Sequence, residues 1–277
     1  MAGTLYIVAT PIGNLADMSP RAVQTLREAA WIACEDTRQT HKLLEHFGIP
    51  ARTLSYHEHN EAERSEELLR RLEDGDSVAL VSDAGTPLIS DPGYRLVKKA
   101  AGRGIAVVPV PGPTAAMAAL SASGLETDRF YFGGFLPRKS GERRRTLEAL
   151  KGLDATLVFY EAPHRLLESL RDVEAVMGSR PVVVAREVTK VHEEFLRGTA
   201  AQVSAELERR GAVRGEVTLL IGRTAEPAEA SFTEGELRSE VERLEREGMA
   251  RMDAIKQVAW RRRLAKRDVY RAVGEKR

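Results

Sequence analysis

Three glycine- and proline-rich segments carry the residue types best suited to hold a small ligand: Ala9-Thr-Pro-Ile-Gly-Asn14, Ser82-Asp-Ala-Gly-Thr-Pro-Leu-Ile-Ser-Asp-Pro-Gly93 and Pro109-Val-Pro-Gly-Pro-Thr-Ala115. Each follows an apolar run. Glycine lets a backbone approach a ligand closely, proline holds a loop open, and Asp83, Thr86, Ser90 and Asp91 supply hydrogen-bonding groups. None of the loops has the G-x-G-x-x-G or G-x-x-x-x-G-K-[ST] spacing that cradles phosphates, which disfavours a nicotinamide or nucleoside-triphosphate enzyme. His57 and His59 flank Glu58 and would share one face of a strand, as in a metal site. No third ligand stands at a supporting spacing, so no metal is expected.

The elements that must position these loops alternate in kind. Leu5–Ala9 reads as a strand and Ser19–Ala30 as a helix, and the pattern repeats through strands at Ile32–Cys34, Thr53–Tyr56, Val78–Ser82 and Ile105–Val110. Helices are expected near Thr40–Phe47 and at Glu61–Glu73, Tyr94–Arg103 and Thr114–Ser123. Such alternation predicts a parallel, helix-covered sheet whose ligand loops follow the strands. A second series begins at Phe130–Phe135 and continues through Thr156–Tyr160, Val182–Arg186, Glu194–Gly198 and Glu216–Ile221, with helices at His164–Val176 and Ala201–Arg209; it reads as mixed α/β.

The segment Glu226–Ala230 is polar, carries Pro227 and reads as a linker. Thr233–Glu247 is a helix with Glu236 at the capping-box position and Gly248 at its end. Two short helices, Arg251–Arg262 and Lys266–Val273, complete a module that resembles a helix-turn-helix. The expected division is 1–125, 126–225 and 226–277.

The 277 residues are 43% hydrophobic and 30% charged, enough apolar material for a substantial core and too little charge imbalance for disorder. The net charge of +1 conceals an asymmetry. From Arg251 onward ten Lys/Arg face three Asp/Glu, about +7, while the preceding chain carries 32 against 38, about −6. No apolar run reaches the ~20 residues that span a bilayer, and Met1–Gly13 lacks a cationic start, so neither export nor membrane insertion is expected. Cys34, the single cysteine, suits a reducing cytoplasm.

TPIGNLADMSPRA (Thr10–Ala22), CEDTR (Cys34–Arg38), SDAGTPLISDPG (Ser82–Gly93), PVPGPTA (Pro109–Ala115), FGGFLPRK (Phe132–Lys139), FYEAPHR (Phe159–Arg165) and RGEVTLLIG (Arg214–Gly222) together span most of the chain. In this combination the sequence resembles the tetrapyrrole-methylase type of S-adenosylmethionine-dependent methyltransferase, in its ribosomal RNA branch. Tetrapyrrole methylases usually carry G-x-G-P-G-D in the first loop and G-D-P later; this chain has ATPIGN and Gly85-Thr-Pro87, departures that fit the RNA branch.

The resemblance implies an α/β fold of two tandem domains of the class III methyltransferase type plus the C-terminal helical module. It implies S-adenosylmethionine held in a cleft between the domains, by Pro11 and Gly13, by Asp83, Gly85, Thr86, Ile89 and Ser90, by Thr114 and Ala115, and by Tyr160, Glu161 and Ala162. The implied reaction is 2′-O-methylation of a cytidine ribose in the decoding region of 16S rRNA, within the small ribosomal subunit, by a homodimer. Such a transfer needs a base for the hydroxyl proton, and Asp83, Asp91, Glu161 and Lys190 all stand near the matching motifs.

RNA demands positive charge. Arg138, Lys139, Arg143, Arg144 and Arg145 form one basic run, read as a mobile loop leading into a helix. Arg251, Lys256, Arg261, Arg262, Arg263, Lys266 and Arg267 form the other. Two further readings stay open here: methylation of a tetrapyrrole ring carbon, which needs no basic tail, and a non-catalytic RNA-binding protein of ribosome assembly.

Overall fold

Short β-branched runs become strands because their stiff side chains pack well on a pleated surface. In the computed structural model, which describes residues 2–50, 52–211, 213–223, 233–262, 264 and 266–274, five such runs build a first sheet. These are β1 (Thr4–Val8), β2 (Trp31–Cys34), β3 (Thr53–Ser55), β4 (Val78–Leu80) and β5 (Ala106–Val110), all parallel, in the order β3-β2-β4-β1-β5. Helices α1 (Pro20–Glu28) and α2 (Thr37–His46) bury Leu26 and Leu44 against Val8, Ile32 and Ala79 on one face. Helices α3 (Glu61–Glu73) and α4 (Tyr94–Gly102) bury Leu68, Leu72 and Leu96 against Leu5, Leu54 and Leu80 on the other. Helix α2 begins three residues before the sequence reading because Asp36 caps it, accepting from the Arg38 amide at 2.8 Å.

The second sheet has β6 (Phe130–Phe135), β7 (Thr156–Glu161), β8 (Pro181–Arg186), β9 (Glu194–Thr199) and β10 (Val217–Ile221), in the order β6-β7-β10-β8-β9. β6 runs parallel to β7; the remaining pairs are antiparallel. Helices α6 (Ser140–Leu150), α7 (Leu166–Met177) and α8 (Ala200–Arg210) cover one face through Leu147, Leu170, Val173, Val203 and Leu207. The opposite face is covered by α5 (Ala115–Ser123), which follows β5 in the chain. Its small residues Ala116 and Ala119, with Leu120, meet Val158, Val183 and Leu220. Arg197 of β9 closes α5 by donating to the Ala122 and Ser123 carbonyls at 2.7 and 3.0 Å, at the negative end of the helix dipole.

The basic run at 138–145 corrects an expectation. Only Arg138 and Lys139 precede α6, and Arg143 is completely buried, its guanidinium 2.6 Å from Asp172 of α7 and bonded to the carbonyls of Pro137 and Arg138. Arg144 meets the same carboxylate at 2.6 Å. Burial opposes ionisation of Asp172, but the bonds from Arg144, Ser140 and Arg143 outweigh it and hold the carboxyl below its ordinary range. Arg143 therefore pins α6 to α7 and cannot reach RNA. Arg138, Lys139 and Arg145 are exposed.

The chain divides into two compact units, Met1–Thr224 and Ala225–Arg277. In the second, α9 (Glu234–Arg246), α10 (Arg251–Arg262) and α11 (Lys266–Val273) share a core of Leu237, Val241, Ile255, Val258 and Val269, and the Thr233–Glu236 capping box is formed. Arg251 turns to Glu245 at 3.3 Å and the Gly274 carbonyl at 2.7 Å, and Arg262 to Glu240 at 2.8 Å, so both serve the module itself. Lys256 pairs with Asp253 at the surface; Arg261, Lys266, Arg267 and Trp260 are exposed. The linker reading at 226–230 and Arg263 lie outside the described residues. Among the described residues no helix is long and apolar enough to cross a membrane.

Replacing Arg143 with Ala leaves Asp172 with one cation instead of two and is expected to cost about 3 kcal/mol in urea unfolding. Arg145→Ala should stay within about 0.5 kcal/mol of the parent chain.

Candidate active site

Strands β4, β1 and β5 are neighbours in space though not in sequence, so the three loops leaving their C-terminal ends lie side by side. Backbone bonds tie them together. The Thr10 amide donates to the Gly85 carbonyl at 2.8 Å and the Gly85 amide to the Thr10 carbonyl at 3.1 Å, while the Thr10 hydroxyl donates to the Ser82 carbonyl at 3.1 Å. The Thr86 hydroxyl reaches the Pro113 carbonyl at 3.3 Å and so joins the second loop to the third. Gly85 sits at φ +89°, a conformation that favours glycine. Leu88 and Ser90 adopt left-handed φ values of 71° and 68° in the same loop, the kind of backbone strain that concentrates at functional sites.

From the second sheet come the end of β7 and the start of β10. Together the loops and strand ends enclose a cleft of about 440 Å³, within the range of small-molecule sites. Asp83, Gly85, Thr86, Ile89, Ser90, Asp91, Thr114, Ala115, Tyr160, Glu161 and Ala162 line it. Pro11 and Gly13 do not: Ile12 between them is the lining residue, and Gly13 lies against the Lys190 side chain, where a Cβ would come within 2.4 Å of Cγ. Phe135, Val188, Glu216 and Thr218 also line the cleft and were not singled out from the sequence. Phe135 and Thr218 sit in segments that carried the resemblance, but strand residues of alternating direction give no sign of which neighbour faces a cavity.

None of the lining residues is Lys or Arg, whereas Asp83, Asp91 and Glu216 bring carboxylates. Of these, Glu216 is already paired with Lys190 at 3.1 Å. Hydroxyls of Thr86, Ser90, Thr114 and Thr218 stand among apolar walls from Ile12, Ile89, Ala115 and Val217. The N-terminus of α5 opens onto the cleft at Ala115, with Thr114 capping it through the Met117 amide.

The four acid–base candidates differ sharply. Asp91 is half-buried, and desolvation, reinforced by Glu35 and Asp83, pushes its carboxyl up to about 6 against a hydrogen bond from Ser82. Glu161 is buried and engaged with Arg165 at 2.7 Å, the Ala162 amide at 2.7 Å and the Ser169 hydroxyl, so it holds the end of β7 in shape. Lys190 bridges Glu187 at 3.0 Å and Glu216 at 3.1 Å; desolvation lowers its affinity for a proton, but the two carboxylates outweigh it and keep the ammonium charged. It ties Glu187 to Glu216. Asp83 accepts from the Asp36 amide at 3.0 Å and is exposed. Among the described residues no group of three His, Cys, Asp or Glu is arranged to hold a metal.

Residues 4–204 match the family of Tetrapyrrole (Corrin/Porphyrin) Methylases. A protein of Halalkalibacterium halodurans named Ribosomal RNA small subunit methyltransferase I is 50% identical over 97% of this chain and 93% of its own length. The chain belongs to the ribosomal RNA small subunit methyltransferase I family of tetrapyrrole methylases. A family member from Synechocystis sp. is 48% identical over 97% of this chain and 96% of its own. The fold is similar to that in the crystal structure of diphthine synthase, which superposes with a TM-score of 0.61 at 16% identity, covering 79% of this chain and 90% of that one. Membership places the chain among methyltransferases of class III architecture, with the two sheets and C-terminal helical part described above.

Gly85→Val tests the loop junction. A β-branched residue at φ +89° is strained, and its Cβ would lie 3.4 Å from Ile12 before any further atoms are added. Calorimetric titration should show S-adenosylmethionine binding lost in this variant; unchanged affinity would reduce the loop to a structural role.

Proposed function

We propose that this chain transfers a methyl group from S-adenosylmethionine to the ribose 2′-oxygen of a cytidine in the decoding region of 16S rRNA. The observation that carries the reading is the cleft, which joins an acidic, cation-free lining to one half-buried carboxyl poised near neutrality. The names of close relatives support rRNA of the small subunit as the substrate.

The cofactor's cationic part finds a counter-charge in Asp83, a nucleoside finds apolar walls in Ile12, Ile89 and Val217, and the start of α5 offers amides to a carboxylate, so the residues present fit S-adenosylmethionine. When bound, that group supplies an activated methyl carbon. The chain's own part is to fix the acceptor in line and take its proton. Asp91 is the base we assign, because above pH ~6 it has a free lone pair at the cleft wall, whereas Lys190 holds no lone pair and Glu161 is occupied.

Positive charge for RNA comes from exposed Arg138, Lys139 and Arg145 and, in the second unit, from Arg261, Lys266 and Arg267, with Trp260 at 75% exposure available for stacking. The setting of this reaction is the cytoplasm. A homodimer is the working form we infer, supported by the edge strand β6, which exposes Phe130, Tyr131 and Phe135. Sedimentation as a monomer at micromolar concentration would remove that part.

The deciding assay offers methyl-labelled S-adenosylmethionine with small ribosomal subunits, free 16S rRNA and a corrinoid precursor. Label in a ribose of rRNA is expected, and label only in the corrinoid would overturn the proposal. Asp91→Asn should lower kcat by about 10²-fold or more and abolish the rise in rate as pH passes through about 6. The folded state binds the Asp91 proton more tightly than the unfolded chain, so this group lowers stability as pH climbs from its ordinary 3.8 to about 6, and the loss persists above. Asp91→Asn should therefore melt higher than the parent at pH 8, with the gap closing as pH falls.

A further inference from the structure

Helix α4 begins where the cleft ends. Asp91 lines the cavity, and Tyr94 opens the helix three residues on, no more than about 11 Å away along an extended chain. Tyr94 is 66% exposed. Packing gives no reason for an aromatic residue there. One turn further along, the Lys98 ammonium lies 5.8 Å from the ring centroid, within cation–π range. Lys98 has no ion-pair partner among the described residues, whereas Lys99 and Arg103 are tied to Glu66 and Glu73. Arg95 leaves 62% of its side chain exposed and approaches Glu61 only to 3.7 Å.

The first turn of α4 is also fixed in advance. Its N-cap, Gly93, has no side chain to cap with, and a carboxylate from α3 replaces one: Glu61 Oε1 accepts from the amides of Gly93 at 3.2 Å and Arg95 at 3.3 Å and from the Tyr56 hydroxyl at 3.0 Å. Gly93 itself sits at φ +137°, with a Cβ position only 2.8 Å from Leu80. A ring carried on so rigid a turn, with two rotatable bonds of its own, loses little freedom when something stacks on it.

An exposed ring with available cations beside it is the chemistry that holds single-stranded nucleic acid: bases stack on the face and phosphates pair with the charges. The cleft needs such a neighbour. Its lining has carboxylates and no Lys or Arg, so the phosphates on either side of a nucleotide entering it must be neutralised outside. We propose that the first two turns of α4 grip the RNA strand next to the target nucleotide, with Tyr94 stacking on an adjacent base and Lys98 and Arg95 pairing with phosphates. The inference rests on the rRNA methylation reading and adds to it the path of the strand over the first unit.

The test uses the full chain and the variants Tyr94→Ala, Tyr94→Phe and Lys98→Ala. Methylation is measured on small ribosomal subunits, and binding on a short single-stranded RNA oligonucleotide across a salt series. Tyr94→Ala should weaken oligonucleotide binding about ten-fold and raise KM for subunits comparably, with the loss falling on KM rather than kcat and Tyr94→Phe restoring it. Lys98→Ala should lower the slope of log affinity against log salt by about one. Parent-like binding and salt slope in both Ala variants would overturn the proposal. So would a KM defect on subunits with oligonucleotide binding intact, which would assign α4 to a ribosomal protein. Failure of the parent chain to methylate any RNA sinks the rRNA reading itself, whereas normal methylation with silent α4 variants sinks only this one.

Discussion

The reciprocal backbone bonds between Thr10 and Gly85 are the constraint on which the site depends. They form because β4 slots in beside β1 after the chain has run out to β3 and returned, so two loops about 75 residues apart in sequence end on one edge. With that pair in place the second loop cannot drift, and its left-handed residues Leu88 and Ser90 are held in conformations they would otherwise leave. The cleft wall from Asp83 to Asp91 inherits its shape from this junction.

Much of this was legible in the sequence. The strand and helix alternation announced two α/β layers, and glycine with proline marked the loops, because both act locally and leave local signs. Within the candidate site, the cofactor residues named from the resemblance line the cleft except Pro11 and Gly13, between which Ile12 is the lining residue. What stayed hidden depends on contacts across long separations. Nothing local distinguishes Arg143 from Arg145, yet one is buried on Asp172 and the other exposed. Nor does anything local show that Lys190 carries both Glu187 and Glu216 on its ammonium.

The distribution of charge follows one rule through the first unit. The cleft lining holds carboxylates and no Lys or Arg, and the exposed cations of this unit, such as Arg138, Lys139 and Arg145, lie outside that lining. Arginines drawn inward, such as Arg143 and Arg165, meet buried carboxylates and act as fasteners between elements. A basic run in a sequence thus measures two quantities at once, and only the exposed fraction contributes to the external field.

Helix α5 is joined covalently to the first sheet through β5 but seated on the second, with Arg197 clasping its far end. A swinging motion about the connection at 124–129 would tear that seat apart. A hinge that keeps the seat must lie before α5, in the connection at 111–114, so that the helix travels with the second sheet.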